Sequence, residues 1–210
     1  FLLIDMRAPG IRVRPIITID GEHRVNEVTL DQVAVPATNL VAEQGKGWMY
    51  ARFLLEKERS LVAHLPGLRR LLARVHASAA DAEADAPARD ETYRRRLAWL
   101  EAEFHALEFL ELRLLHAQND GENTQVLASM LKLRATELRQ QLSEMIWHNA
   151  GRDGLEWSGS DRPDDLGAAA ARWRPARWAA MNYLYQRSAT ILGGTSEIQR
   201  NIIAGIGLGL

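Results

Sequence analysis

Ile191-Leu-Gly-Gly-Thr-Ser-Glu-Ile-Gln-Arg-Asn-Ile-Ile-Ala204 is the stretch around which the rest of this 210-residue chain is organised. Gly193 and Gly194 carry no Cβ and tolerate unusual φ/ψ, so another molecule can approach their backbone closely. A helix is expected immediately behind them. Thr195 or Ser196 supplies its N-cap, Ser196 and Gln199 have the spacing of a capping box, and Ile198, Ile202 and Ile203 form its buried stripe. The unpaired N–H groups at such a helix start, with the positive end of the helix dipole, favour an anion such as a phosphate or pyrophosphate. From these residues alone, a tight turn that binds nothing remains the alternative.

Upstream of this stretch the hydrophobic period is about 3.6 back to Lys46. A first long helix is expected from Gly47 to Ala77, kinked at Pro66, where proline removes a backbone hydrogen bond. The alanine- and aspartate-rich Ala77 to Asp90 reads as a frayed end and loop. A second helix, Glu91 to Gln118, aligns Leu97, Leu100, Phe104, Leu107 and Leu114, and Asn119-Asp-Gly121 turns the chain. A third, Thr124 to Asn149, aligns Leu127, Leu131, Leu138, Leu142 and Met145. After a polar loop from Gly151 to Asp164 comes a fourth, Leu166 to Thr190, with Trp173, Pro175, Trp178 and Tyr183. Residues 1 to about 40 have the period of strands instead. Leu3 to Met6 and Ile11 to Ile19 are separated by Ala8-Pro9-Gly10, and Asp20-Gly21 turns into a strand through Val25, Val28, Leu30 and Val33. The fold class expected is mainly α: a C-terminal up-down four-helix bundle preceded by a remnant of a β-domain, divided as residues 1–43 and 44–210. Three or four strands cannot close a sheet alone, and the exposed edge expects a further part of a β-domain.

Composition narrows the function classes. With 47% hydrophobic and 25% charged residues the chain is ordinary globular protein. A net charge of −1 gives no basic surface for nucleic acid, and Arg94 to Arg96 reads as a solvated helix face. The absence of cysteine excludes disulfides and thiolate metal sites. His105, His116 and His148 lack metal-site spacing, so no metal is expected. No apolar run approaches the roughly 18 residues of a membrane span, and no signal peptide is visible, which points to the cytoplasm. The opening run Phe1-Leu-Leu-Ile4 reads as a strand already in progress, as expected of a fragment.

One carboxylate is out of place. The helical neighbours of Glu58 are Leu54, Leu55, Leu61, Val62 and Leu65, so it lies on the apolar stripe, while Glu56, Lys57 and Arg59 point away. Burial raises a carboxyl above its ordinary pKa of about 4.3, toward the range useful to a general base. An internal ion pair with an arginine, or a side chain reaching to the edge of the bundle, is the competing reading.

Residues Gly193 to Ala204 resemble the C-terminal signature of the acyl-CoA dehydrogenase family, and Asn26-Glu-Val-Thr-Leu-Asp-Gln-Val-Ala-Val-Pro36 resembles the strand leading out of that family's middle β-domain. The resemblance covers essentially the whole chain, and the branch it most resembles is the large subunit of bacterial pimeloyl-CoA dehydrogenase. It implies an FAD-dependent oxidation of an acyl-CoA thioester to the trans-2-enoyl-CoA, with electrons passed to an electron-transfer flavoprotein, in a homo- or hetero-oligomer. It implies that Glu58 is the catalytic base, since Gly193 stands where many members carry theirs and others carry it in a Glu-Arg pair on the first long helix. Arg59 would line the acyl-CoA site, and a backbone amide at Gly193-Gly194 would bind the thioester carbonyl. Thr195, Ser196 and Glu197 would contact flavin phosphate and ribose. Two family motifs are absent: Arg89-Asp-Glu-Thr-Tyr-Arg-Arg-Arg96 replaces Arg-x-x-Phe-Gly, and Trp147-His-Asn-Ala-Gly151 replaces Gln-x-x-Gly-Gly. Since both motifs reach a flavin across a subunit interface, the rival expectation is a non-catalytic structural subunit of a heteromeric acyl-CoA dehydrogenase.

Overall fold

The computed structural model describes residues 1–80, 90–155 and 167–210, with the backbone alone for 56–62 and 167–174. The expected loop at Ala77 to Asp90 and the polar loop after Leu155 therefore lie mostly outside the described residues. The chain divides into two compact units, Phe1–Lys57 and Glu58–Leu210.

In the first unit two strands, β1 (Ile11–Ile17) and β2 (His23–Leu30), pair antiparallel. The register sets Val13 against Val28 and Ile11 against Leu30 on one face, and Arg14 against Glu27 on the other, so these cross-strand pairs are apolar or oppositely charged. The turn is closed by Asp20, whose buried carboxylate accepts from the Thr18 hydroxyl and, at 2.6 Å, from Arg24 Nε. Burial pushes that carboxyl up, but these two donors outweigh it and hold it below the usual aspartate value. The strand expected at Leu3 to Met6 is not formed. Leu2 makes a single bridge with Leu40, just past Pro36, so pairing there extends over one residue only. β1 and β2 remain exposed along nearly their whole length, with Val13, Val28 and Leu30 about half accessible.

The first long helix is two helices, α1 (Gly47–Ala63) and α2 (Leu65–Ala80). The break falls at His64, in the left-handed region at φ 42°, and not at Pro66. Pro66 occupies the first turn of α2, where a missing N–H costs nothing. Gly67 belongs to the same arrangement, since a Cβ there would come within 2.4 Å of the His64 ring.

The second unit is a helix bundle. After α2 come α3 (Glu91–Asn119), α4 (Gln125–Asn149), a 3-10 turn at Gly151–Leu155 and α5 (Gly167–Gln186). A short α6 (Ser196–Ile202) then runs into a π turn at Ile203–Leu208. α4 is the central element, packing against α2, α3, α5 and α6. The expected leucine stripes meet there: Leu100, Phe104, Leu107 and Leu114 of α3 and Leu131, Leu138, Leu142 and Met145 of α4 are buried in one core with Leu68 and Val75 of α2. Each such side chain contributes about 1.5–3 kcal/mol of burial free energy. Pro175 lies inside α5 rather than at an end.

The surfaces where two family motifs were expected serve the bundle instead. The Trp147 ring stacks on Tyr183 at 4.6 Å and its Nε1 donates to the Gly154 carbonyl at 2.8 Å. Asn149 donates to the hydroxyls of Ser78 and Tyr93 at 2.9 and 2.7 Å, tying α4 to α2 and α3. Arg96 is bound to Glu144 of α4.

Candidate functional site

α4 is buried on two faces, and the second face is polar. Ser129, Lys132, Thr136, Arg139, Gln140 and Ser143 follow one another at spacings of three, four, three, one and three residues, which places them on one side of the helix. Ser129, Lys132, Thr136 and Ser143 are wholly buried. A buried polar stripe requires partners, and this one catches carbonyls freed at the ends of other segments. Arg139 donates to the Ala63 carbonyl at 2.7 Å, where α1 stops. Gln140 donates to the carbonyl of Gln186 at 3.0 Å, where α5 stops, and to the Thr190 hydroxyl at 3.2 Å. Arg187 returns a bond to the Gln140 carbonyl at 3.3 Å while stacking on Tyr183.

The third carbonyl belongs to the glycine turn. Lys132 Nζ donates to the Gly194 oxygen at 2.6 Å. Gln199 Nε2 approaches from α6, at 3.3 Å from the same oxygen and 3.5 Å from that of Gly193. Gly193 and Gly194 have φ 65° and 93°, the left-handed region in which side chains are strained. A Cβ on Gly194 would also lie 2.7 Å from Gln199 Nε2. In a trans peptide the N–H points opposite to the C=O. With both glycine carbonyls drawn inward, the N–H groups of Gly194 and Thr195 are turned outward, and among the described residues neither has an acceptor.

Thr195 is the N-cap of α6, accepting from the Ile198 N–H at 3.3 Å. The capping box expected of Ser196 and Gln199 is not formed. Both are buried, Gln199 is turned to the glycines, and Ile198, expected inside, is about half exposed. The face of α6 that meets α4 is polar because it meets Lys132. The Ser196 N–H is bonded to the Thr190 carbonyl, and its hydroxyl is buried without a partner among the described residues. Glu197 is held below the usual glutamate value by its own backbone N–H and then by the Thr195 hydroxyl. Burial pulls Lys132 below the usual lysine value, partly opposed by the charge of Glu197. On the surface Arg134 bridges Glu103 and Glu137, and Arg200 joins Glu137 at 2.8 Å, linking α3, α4 and α6.

Glu58 and Arg59 lie in α1, and their side chains are outside the described residues. Of the neighbours expected around Glu58, Leu65 is buried, Leu54 and Leu55 are exposed, and Leu61 and Val62 are likewise undescribed. Among the described residues no three His, Cys, Asp or Glu side chains gather as metal ligands, and no helix is long and apolar enough to cross a membrane. Sequence reading missed Lys132, Arg139 and Gln140. The signal was available in the spacing of polar residues along α4, which repeats every three or four positions just as the leucines do.

Residues 45–207 match the family model of the acyl-CoA dehydrogenase C-terminal domain. Acyl-CoA dehydrogenase IpdE1 of Mycolicibacterium smegmatis is 28% identical over 211 residues, covering 100% of this chain and 48% of that protein. A solved steroid ACAD, Tcur3481-Tcur3483, superposes with a TM-score of 0.79 at 25% identity, over 100% of this chain and 51% of its own. PigA with FAD and proline shares the fold, with a TM-score of 0.75 at 19% identity, over 100% of this chain and 51% of that one. The chain thus spans about half the length of these relatives. The glycine turn, the capped α6 behind it and the bundle on which both rest are those of a known lineage: the chain belongs to the acyl-CoA dehydrogenase family.

Proposed function

We propose that this chain works as the C-terminal half of an FAD-dependent acyl-CoA dehydrogenase, converting an acyl-CoA thioester to the trans-2-enoyl-CoA. In this reading residues 1–43 belong to the middle β-domain and 44–210 to the C-terminal helical domain. The observation that carries it is the Gly193-Gly194 turn, with carbonyls held inward and N–H edges outward, in a chain of this family. Outward donors fit an electron-rich oxygen, whether of a thioester or of a flavin phosphate or ribose. FAD, when bound, supplies the hydride acceptor. The chain's own residues supply position and a base: Glu58 takes the Cα proton, Arg59 lines the thioester site, and a backbone N–H at Gly193-Gly194 holds the thioester carbonyl. Thr195 and Glu197 face the cofactor. Ser196 is proposed to meet the cofactor with them, its N–H bonded to the Thr190 carbonyl and its buried hydroxyl without a protein partner among the described residues. An electron-transfer flavoprotein is the proposed acceptor, and the protein is proposed to act as a homo- or hetero-oligomer in the cytoplasm.

The full-length protein is expected to show flavin absorbance that bleaches on addition of its acyl-CoA. A panel should include straight-chain, dicarboxylic (pimeloyl) and steroid-derived thioesters, the last because a similar structure is a steroid ACAD. Glu58→Gln is expected to abolish bleaching while sparing bound flavin. Unchanged bleaching in that variant sinks the assignment of the base.

A second reading, that of a non-catalytic subunit in a heteromeric dehydrogenase, is favoured by one observation. Trp147 and Asn149, which stand in place of a flavin-contacting motif, are committed to contacts inside the bundle. It predicts a full-length protein that holds no flavin until a partner subunit is added.

A further inference from the structure

Lys132 is fully buried, and among the described residues its ammonium has one acceptor, the Gly194 carbonyl. Removing an ammonium from water is costly, and replacing a buried charge by an apolar side chain of similar volume is often neutral or stabilising. Burial of the charge therefore offsets much of what its hydrogen bond contributes, and stability alone is a weak reason for a lysine at this position. What the lysine does is act on one peptide. It shares the Gly194 oxygen with Gln199, which keeps its own Oε1 buried and unpartnered while its Nε2 faces the two glycine carbonyls. Two donors from two helices thus converge on a peptide whose glycine sits at φ 93°.

We propose that Lys132 is a positioning residue for the reaction: from inside the bundle it locks the Gly194–Thr195 peptide, so that the Thr195 N–H faces the bound flavin and the adjoining Gly194 N–H stays turned toward the thioester. The inference rests on the dehydrogenase reading of this turn. Lys132 touches neither ligand. Its charge acts through the peptide, because a carbonyl that accepts a charge-assisted hydrogen bond is polarised and its own N–H becomes a stronger donor. The donor is fixed before the ligand arrives, which is the condition under which such groups favour a transition state.

The test compares Lys132→Met and Lys132→Gln with the unsubstituted full-length, FAD-loaded protein. Lys132→Met trades the hydrogen bond lost at the Gly194 oxygen, which keeps Gln199 as a donor, against relief of a buried ammonium, so its unfolding midpoint is expected to change little. Its kcat, or its flavin affinity, is expected to fall on the order of ten- to a hundredfold. If the ligand is the thioester, kcat falls while flavin affinity holds; if it is flavin, the dissociation constant of FAD rises first. Lys132→Gln, a neutral donor, should lie between. A folded Lys132→Met protein with unchanged kcat, KM and FAD affinity overturns the proposal. A loss of stability with unchanged kcat does the same, by assigning Lys132 to the fold alone. A measurement on the unsubstituted protein covers the case in which neither variant folds. Gly194-Thr195 is the only Gly-Thr step in these 210 residues, so carbonyl-labelled glycine and nitrogen-labelled threonine mark its amide within this chain. That amide proton should shift downfield on addition of FAD or of a non-oxidisable acyl-CoA analogue, and an unmoved signal overturns the proposal. If no acyl-CoA bleaches the unsubstituted protein, the proposed function fails by itself, and an amide signal unmoved by FAD still overturns the role of Lys132.

Discussion

Replacing Gly194 by alanine places one methyl group where the structure has least room for it. At φ 93° an L side chain is strained by about 1–2 kcal/mol. The new Cβ also lies 2.7 Å from Gln199 Nε2, so the amide must withdraw. Withdrawal costs the long bonds of 3.3 and 3.5 Å to the Gly194 and Gly193 oxygens, each at the weak end of the range, about 0.5 kcal/mol. Alanine also restricts the unfolded chain, which offsets part of the loss by about 0.4–1 kcal/mol. Gly121→Ala supplies the comparison, because Gly121 has φ 73° and a Cβ there meets nothing within 4 Å. Strain and the unfolded-state term are common to both variants, so their difference isolates the contact with Gln199. Gly194→Ala is expected to be the more destabilising by about 1 kcal/mol in urea unfolding at equal m-value. Equal destabilisation of the two, within about 0.5 kcal/mol, would mean that Gln199 yields freely and does not hold the turn.

Two further predictions follow from α4. Arg139→Met leaves the Ala63 carbonyl at the end of α1 without the charged donor that now lies 2.7 Å away, and a loss of about 1.5–3 kcal/mol is expected in denaturant unfolding. Lys132 binds its proton less tightly folded than unfolded, so the unfolded state carries more protons at alkaline pH and stability rises with pH. The gain is complete above the unfolded lysine value of about 10.4 and is lost as pH falls through the depressed folded value. Unfolding free energies measured across that window should show a positive slope that Lys132→Met removes.

The helices were legible because each depends on residues within a turn or two of one another. Leu100, Phe104 and Leu107 on α3, and Leu131, Leu138 and Leu142 on α4, lie at helical spacing and are buried as expected. The turn at Asp20-Gly21 and the cap at Thr195 are equally local. Where reading failed, the deciding contact was distant. Pro66 marked the neighbourhood of the break between α1 and α2, but the carbonyl exposed at Ala63 is satisfied by Arg139, 76 residues away. Ile198 had the apolar character of an inner residue, yet it faces outward because α6 turns Ser196 and Gln199 toward α4.

The sequence by itself determined the helical content, the glycine turn with its capped helix, and the family to which they belong. All of these rest on spacing along the chain and on what glycine and threonine do to their own backbone. Only the tertiary structure decided that a lysine 62 residues before Gly194 holds that glycine's carbonyl. A buried hydrogen bond is dictated by which polar groups are brought together out of water, and no local period records that meeting.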